Sequence, residues 1–290
     1  MSYRARFLTR QIQKGFSRVR SNHLATAGLI IIGFFAVLAV FAPLIAPFDP
    51  YETDLDATYA RPSWQHFFGT DHVGRDIFSR VIYGARIAFA ITVLVVLIEL
   101  AVSVPLALIS SYIGGTFDEV VMRIMDMIIS IPHLLLAIVI VALMGPGMRN
   151  AILAISISYM PMLARVVRSV ALSIKEEPYI EACHVLQFKS ARIVFSHILP
   201  NIVSVIIVQL SLDLGYALID MASLSFIGLG VQPPKASWGA MLSLGKSYLL
   251  HSPWMVIFPG LCIALLVFGF NLFGIGLGDI LNPRARQRRE

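Results

Sequence analysis

The chain has 290 residues, of which 57% are hydrophobic and 14% are charged, and its mean hydropathy is +0.78. Soluble globular proteins carry roughly 25% charged residues, so this composition argues against an ordinary soluble protein and indicates a surface that faces lipid. The net charge of +6 does not indicate nucleic-acid binding, because the basic residues lie in clusters between long apolar runs and form no basic face with interleaved aromatic residues.

Long apolar runs predict six membrane-spanning helices. About 20 apolar residues are needed to cross the hydrocarbon core of a bilayer, so the intervals between charged residues set the boundaries of the spans. The fourth span is the weakest, because Arg165 and Arg168 enter its last turns, where their long side chains can reach the interface. The predicted fold class is therefore all-α, a polytopic membrane protein. In chain order the spans cover residues 24–46, 87–111, 127–148, 151–170, 202–223 and 255–277.

The first span is interpreted as an uncleaved anchor. Its basic lead-in and its apolar run are both longer than those of a usual signal peptide. Pro43 also follows the most plausible cleavage site, at residues 40–42, where it would hinder cleavage.

The distribution of basic residues predicts that both termini are cytoplasmic. An even number of spans puts both ends on one side, and cytoplasmic loops carry the excess of Lys and Arg. Under the predicted topology, 16 basic residues lie on the side of the termini and 7 on the opposite side. The segments 47–86 and 224–254 then face outward, and their Gly and Pro residues are typical of turns.

The connection between the fourth and fifth spans has the pattern of a short amphipathic helix. In residues 173–190, apolar side chains recur at roughly helical spacing, while Lys and Glu occupy other positions. Such a helix either lies on the lipid surface or docks into a groove of a partner protein, and its acidic residues favour the partner. The apolar positions are Tyr179, Ile180, Cys183, Val185 and Leu186.

The same connection resembles the EAA signature of ABC importer permeases, in the run 181–183 and in the Leu-Pro pair at 199–200. The resemblance implies a coupling helix at about residues 174–190 that docks on an ATP-binding subunit. Gln187 stands where the signature usually has glycine. If the backbone there has a positive φ, glutamine costs on the order of 1 kcal/mol relative to glycine. The residues that the resemblance assigns to coupling are Tyr179, Ile180, Glu181, Ala182, Cys183, Leu186 and Gln187.

Residues 68–80 and 223–241 resemble the C-type permease subunits of dipeptide, oligopeptide and nickel importers. This resemblance covers almost the whole chain. It implies a type I ABC importer permease fold that forms half of a translocation pathway in the bacterial inner membrane and works by alternating access. It also implies a second homologous permease subunit, two ATP-binding subunits and an extracytoplasmic solute-binding protein. Dipeptides or oligopeptides are the expected substrates, and nickel or another metal chelate is the alternative.

The resemblance divides the chain into three parts. Residues 1–86 hold the N-terminal segment, the first span and an outer loop. Residues 87–282 form a five-helix permease core, and residues 283–290 form a basic cytoplasmic tail.

Three acidic residues inside the predicted spans, Glu99, Asp213 and Asp220, are candidates for lining a polar pathway. A charged side chain at mid-bilayer costs about 2.5–3.5 kcal/mol on insertion scales, so such residues usually face a cavity or a partner. The alternative is that each one hydrogen-bonds a neighbouring helix or lies near the end of a span. An ion-coupled secondary carrier could use the same acids as relays, but it would not need the EAA-like segment. A structural or assembly protein of the membrane would have no nucleotide-dependent partner.

No catalytic, cofactor or metal site is predicted. The run from Gly239 to Gly245-Lys246-Ser247 has five residues between its glycines, where a phosphate-binding loop has four, and no predicted strand precedes it. His133, which follows Pro132 in the third span, is interpreted as the neighbour of a helix kink. The other histidines are dispersed, and the two cysteines lie far apart.

Overall fold

The computed structural model describes residues 22–281, and within that range it contains helices and loops but no β-sheet. The basic N-terminal segment and the basic tail of the sequence analysis lie outside the described residues. A π-helical turn, Val194–Ile198, joins α8 to α9. The helices are α1 (His23–Val40), α2 (Ala42–Ile45), α3 (Ile77–Ile113), α4 (Gly115–Ile129), α5 (His133–Met144), α6 (Met148–Lys175), α7 (Pro178–Val185), α8 (Ser190–Ile193), α9 (Leu199–Phe226), α10 (Trp238–Gly245) and α11 (Trp254–Leu281).

Five of the described helical segments are long and apolar enough to cross a membrane. They are α1, α3, α6, the continuous stretch from α8 through α9, and α11. A sixth span results if α4 and α5, which meet at a bend of 88°, are taken together. The predicted fold class, an all-α protein with several membrane spans, is confirmed.

The predicted third span at residues 127–148 is wrong as a continuous helix. α4 ends at Ile129, and α5 begins at His133 directly after Pro132. Proline has no N–H to donate and its ring clashes with the preceding turn, so a helix breaks there, and the residue before it is pushed out of the helical region. The 12 residues of α5 extend about 18 Å. The hydrocarbon core is about 30 Å thick, so α5 alone crosses little more than half of it.

The second span belongs to a longer helix than predicted. α3 begins at Ile77, ahead of the predicted start at residue 87, and the Asp76 carboxylate caps it by accepting a hydrogen bond from the Ser79 N–H at 2.7 Å. Arg80, in the first turn, is buried and donates to the Pro50 carbonyl at 2.6 Å. Its charge therefore does not mark the end of the helix. The predicted division of the chain at residue 86 falls inside α3, and that division stays a prediction.

The arginines of α6 are paired with acids of α4, which the sequence analysis did not anticipate. The Arg168 guanidinium donates through Nε to both carboxylate oxygens of Asp118 at 2.9 Å, and Arg165 pairs with Asp126. Neighbouring side chains therefore neutralise the charges of the two arginines. Their presence in a membrane span does not require the side chains to extend to the interface. Lys175, at the end of α6, donates to backbone carbonyls in the last turn of α3.

α1 packs closely along α11 through glycines. A Cβ at Gly28 would lie 2.4 Å from the backbone nitrogen of Phe273, and a Cβ at Gly276 would lie 2.4 Å from that of Ala25. Small residues allow helix backbones to approach each other in this way within a membrane. The Asn22 side chain caps α1 and also donates to the Gly276 carbonyl at 3.4 Å. The first and last described helices are therefore direct neighbours.

The loop before α3 is held by Asp71 and by a close approach at Gly74. The Asp71 carboxylate accepts hydrogen bonds from the backbone N–H and the Nε of Arg75 at 3.1 and 2.7 Å. Gly74 has a φ of +77°, and a Cβ there would lie 1.6 Å from the Asp54 carbonyl oxygen. Only glycine fits this position without displacing the backbone.

The two Gly- and Pro-rich segments meet at one end of the helix bundle. Trp254, at the start of α11, donates through Nε1 to the Thr70 carbonyl at 3.2 Å. The rings of Tyr59 and Tyr248 lie 5.2 Å apart, and those of Phe68 and Phe258 stack at 3.8 Å. α7 lies between the opposite ends of α6 and α9, so it is at the other end of the bundle.

Candidate functional site

The first candidate region is α7 with the turn that follows it. α7 has eight residues, fewer than the predicted 174–190, because α6 continues to Lys175 and a new helix starts with Pro178 at its first position. Ile180 is 0% exposed and Cys183 is 6% exposed, and both belong to the hydrophobic cluster that contains Leu163 of α6. α7 is therefore fixed to the permease bundle by its own buried face.

The predicted apolar stripe is divided between two faces of α7. The core of this chain buries Ile180 and Cys183, so these two side chains hold α7 in place, and their assignment to coupling stays a prediction. Val185 and Leu186 are 78% and 66% exposed, and Tyr179 is 43% exposed. We call the accessible surface the α7 outer face. It consists of Tyr179, Glu181, Ala182, Val185, Leu186 and Gln187.

Tyr179 also links α7 to α9. The Asn201 side chain donates through Nδ2 to the Tyr179 hydroxyl at 3.3 Å. The pKa of this hydroxyl lies above its ordinary value, chiefly because partial burial disfavours the phenolate and secondly because the charge of Glu177 is near. The hydroxyl therefore stays protonated at neutral pH and can donate a hydrogen bond to an acceptor on a partner.

α7 ends in a Schellman motif centred on Gln187. The Phe188 N–H donates to the Cys183 carbonyl at 3.1 Å, and the Gln187 N–H donates to the His184 carbonyl at 2.9 Å. Gln187 has a φ of +53°, in the left-handed region that favours glycine. The positive φ that the sequence analysis considered for this position is confirmed, and glutamine is strained there.

We expect Gln187→Gly to stabilise this turn by about 1 kcal/mol, because glycine adopts a positive φ without the clash of a Cβ. Amide hydrogen exchange of Phe188, whose N–H closes the motif, should slow about fivefold. The matched control is Gln187→Ala, which removes the polar side chain but keeps the Cβ. Equal slowing in both variants would contradict strain at Gln187.

The second candidate region is a buried polar group between α3 and α9. Glu99 on α3 is 0% exposed, and Asp213 on α9 is 6% exposed. The two carboxyl groups lie side by side. Gln209 donates through Nε2 to Asp213 at 3.0 Å, and the Glu99 carboxyl interacts with that of Asp213.

Asp220 connects this group to α5 and α6. The Tyr159 hydroxyl donates to Asp220 Oδ2 at 2.7 Å, and His133 Nδ1 lies 2.9 Å from the same oxygen. The His133 ring stands edge-on to the Tyr159 ring, with 5.6 Å between centroids. Asp220 is 4% exposed, whereas the His133 side chain is 54% exposed. The network therefore runs from the bundle interior to its surface.

The structure brings together all three acids that the sequence analysis selected. Glu99 and Asp213 both lie near enough to the Tyr159 hydroxyl to interact with it electrostatically. Asp220 is hydrogen-bonded to Tyr159 of α6 and Asp213 to Gln209 of its own helix, and a pathway role for Glu99, Asp213 and Asp220 stays a prediction. The sequence analysis missed Tyr159 and Gln209. Gln209 could have been found, since it precedes Asp213 by four residues and so shares its helix face.

Within the described part of the chain, no three His, Cys, Asp or Glu side chains are close enough to hold a metal ion. The run that begins at Gly239 forms α10 and a 3₁₀ turn, with Trp238 buried against the Val81 carbonyl at 2.9 Å.

Comparison with known proteins gives matches along most of the chain. The family model described as binding-protein-dependent transport system inner membrane component matches residues 103–287. A second model, the N-terminal TM domain of oligopeptide transport permease C, matches residues 10–62.

Several relatives match over nearly their whole length. The dipeptide transport system permease protein of Alkalihalophilus pseudofirmus is 43% identical, covering 94% of this chain and 90% of the relative. The corresponding protein of Haemophilus influenzae is 38% identical, covering 95% and 96%. A glutathione transport system permease protein of Escherichia coli O157:H7 is 41% identical, covering 93% and 89%.

Among solved structures, an inward-facing MetNI methionine ABC transporter has a chain with the same fold. Its TM-score is 0.58 at 17% identity, and the match covers 70% of this chain and 96% of the other.

Proposed function

The chain belongs to the family of binding-protein-dependent transport system inner membrane components, and we propose that it carries dipeptides or oligopeptides as one permease subunit of an ABC importer. The relatives named for dipeptide and glutathione transport support a peptide substrate. They give no support to nickel or another metal chelate. The permease forms half of the translocation pathway in the bacterial inner membrane, and alternating access moves the substrate through it.

The observation that carries this proposal is the two-sided construction of α7. Its inner face is anchored through Ile180 in the core of the bundle, while its outer face is free for a partner. A force applied to the outer face therefore passes to α6 and α9 through buried contacts. An ATP-binding subunit that closes on ATP would use such a lever to move the membrane helices.

We propose the remaining subunits together with this arrangement. The importer contains a second homologous permease, two ATP-binding subunits on which ATP is hydrolysed, and an extracytoplasmic solute-binding protein that delivers the substrate. The Gly- and Pro-rich segments contact each other at the end of the bundle opposite α7. They form the surface that faces this solute-binding protein.

Uptake of a dipeptide tests the function. A strain that requires leucine and lacks the gene should not grow on dileucine, should grow on free leucine, and should recover growth on dileucine when the gene is restored. In proteoliposomes whose ATP-binding subunits face the lumen, the purified complex should import the peptide only when ATP is enclosed in the lumen. Import driven by an ion gradient without ATP would instead indicate a secondary carrier.

We also propose that α7 and both termini face the cytoplasm, as the excess of basic residues indicates. In a background with Cys183→Ala and Cys262→Ala, single cysteines at the exposed positions Arg61 and Lys235 should react with an impermeant thiol reagent added outside. A cysteine at Val185 should react only after the membrane is opened. Labelling of position 185 in intact cells would reverse the orientation.

A further inference from the structure

The bend between α4 and α5 leaves irregular backbone at membrane depth. Ile131 is 40% exposed, Pro132 is exposed as well, and no side chain caps the first turn of α5. Since α5 is about 18 Å long, this bend lies deep in the bilayer when the other end of α5 is at the outer surface. Backbone of this kind does not face lipid, and it is found only where protein covers it or where it lines a water-filled cavity. The exposed side of the bend therefore faces the interior of the assembled transporter.

His133 is the side chain that the bend presents to this interior. Two contacts fix its ring, the hydrogen bond to Asp220 and the edge-on packing against Tyr159, and half of the side chain remains exposed. An ionised carboxylate only accepts hydrogen bonds, so Nδ1 of His133 must be the donor to Asp220. In the neutral imidazole the other nitrogen, Nε2, then carries a lone pair and accepts a hydrogen bond.

The surroundings of His133 favour a cation. Behind Asp220 lie Asp213 and Glu99, and none of the ion pairs within residues 22–281 gives these three acids a Lys or Arg partner. Glu99 is fully buried, and its carboxyl group interacts with that of Asp213, so the cluster is acidic throughout. The N-terminus of α5 acts as roughly half a positive charge and so attracts anions. This positive charge is smaller than the negative charge that the neighbouring acids can supply.

We propose that His133, held by Asp220, is a binding site for the α-ammonium group of a peptide as it crosses the membrane. The inference rests on the proposed function and deepens it, because it names the chemical group that the permease itself recognises. The ammonium donates one hydrogen bond to Nε2 of His133, and the Asp220 carboxylate behind the ring stabilises its charge. Asp220 acts as a positioning residue, since it contacts His133 and sets which nitrogen is free.

The test uses the complete importer in proteoliposomes, with labelled dialanine as the probe. His133→Gln keeps an acceptor at nearly the same place and should import within threefold of the unmodified complex. His133→Lys puts a positive charge there and should reduce import at least tenfold. Both variants should co-purify with the ATP-binding subunits at the normal ratio, because they leave α7 intact.

Three outcomes would overturn the proposal. Normal import by His133→Lys would show that no ammonium binds there, and import retained by Lys but lost in Gln would indicate a carboxylate site instead. If His133→Lys does not accumulate in the membrane, the isosteric Asp220→Asn variant is used instead. Import by this variant should fall at least fivefold. Unchanged import would contradict the proposal. Failure of the unmodified complex to import any dipeptide is a different result, since it overturns the proposed function itself.

Discussion

Glu181→Lys should abolish peptide import while the chain still reaches the membrane at normal abundance. Glu181 is exposed on the α7 outer face and takes part in none of the ion pairs within residues 22–281. It lies in the first turn of α7, where a negative charge stabilises the helix by about 0.3–1 kcal/mol. The reversal therefore costs the isolated subunit little.

In the assembled importer the same change has a large effect. A hydrogen bond between Glu181 and a partner would be worth about 1.5–3 kcal/mol, and each 1.4 kcal/mol is tenfold in affinity. Placing a lysine there also sets a like charge against the donor that Glu181 would meet. We expect the ATP-binding subunits to be lost on co-purification, and ATP hydrolysis to become independent of the solute-binding protein in any complex that survives.

Glu176→Lys is the matched control for this experiment. It makes the same charge change on an exposed residue at the end of α6, outside the α7 outer face, and should import at close to the normal rate. If Glu181→Lys imports normally in a complex that retains both ATP-binding subunits, α7 is not the coupling element.

The largest effect on stability is expected from Gly74→Ala. The new Cβ would lie 1.6 Å from the Asp54 carbonyl oxygen, and φ at this residue is +77°. The left-handed conformation costs a residue with a Cβ about 1–2 kcal/mol, and overpacking adds typically 1–3 kcal/mol. The outer loop before α3 should lose its structure, and the abundance of the chain in the membrane should fall several-fold.

Gly228→Ala separates the cost of the positive φ from the cost of overpacking. Gly228 has a similar φ of +86°, but a Cβ there meets no atom within 4 Å. Its cost should be limited to the conformational part, about 1–2 kcal/mol. Thermal unfolding of both purified variants in detergent measures the difference. Equal losses would mean that the contact between Gly74 and Asp54 does not hold the loop.

The features that could be predicted from the sequence depend on neighbours along the chain. Apolar runs between charges located most of the spans, since the thickness of a bilayer sets one length for all of them. The positive φ at Gln187 could be anticipated because a helix end imposes its geometry on the next few residues. These are local constraints, and a single sequence carries them directly.

The features that were missed depend on residues far apart in the chain. Arg165 counted against the fourth span because its partner Asp126, 39 positions away, is invisible to a local pattern. Ile180 had the spacing of a docking stripe, but only the packing of α6 shows that its face is already covered. Pro132 indicated a kink, but the bend of 88° between α4 and α5 is a relation between two whole helices that no spacing in the sequence reveals.

The pairing of α1 with α11 sets a condition on biosynthesis. Asn22 and Gly276 meet in this pair and are 254 positions apart. At a translation rate of 5–20 residues per second, roughly 13–50 s pass between the synthesis of α1 and that of its partner. Until then the face that contains Gly28 is in contact with lipid or with the insertion machinery. Completion of the last helix is thus the event that turns α1 from a free anchor into part of the bundle. A nonsense mutation as late as codon 254 would leave the first helix without its partner, and the truncated chain would be a substrate for membrane proteases.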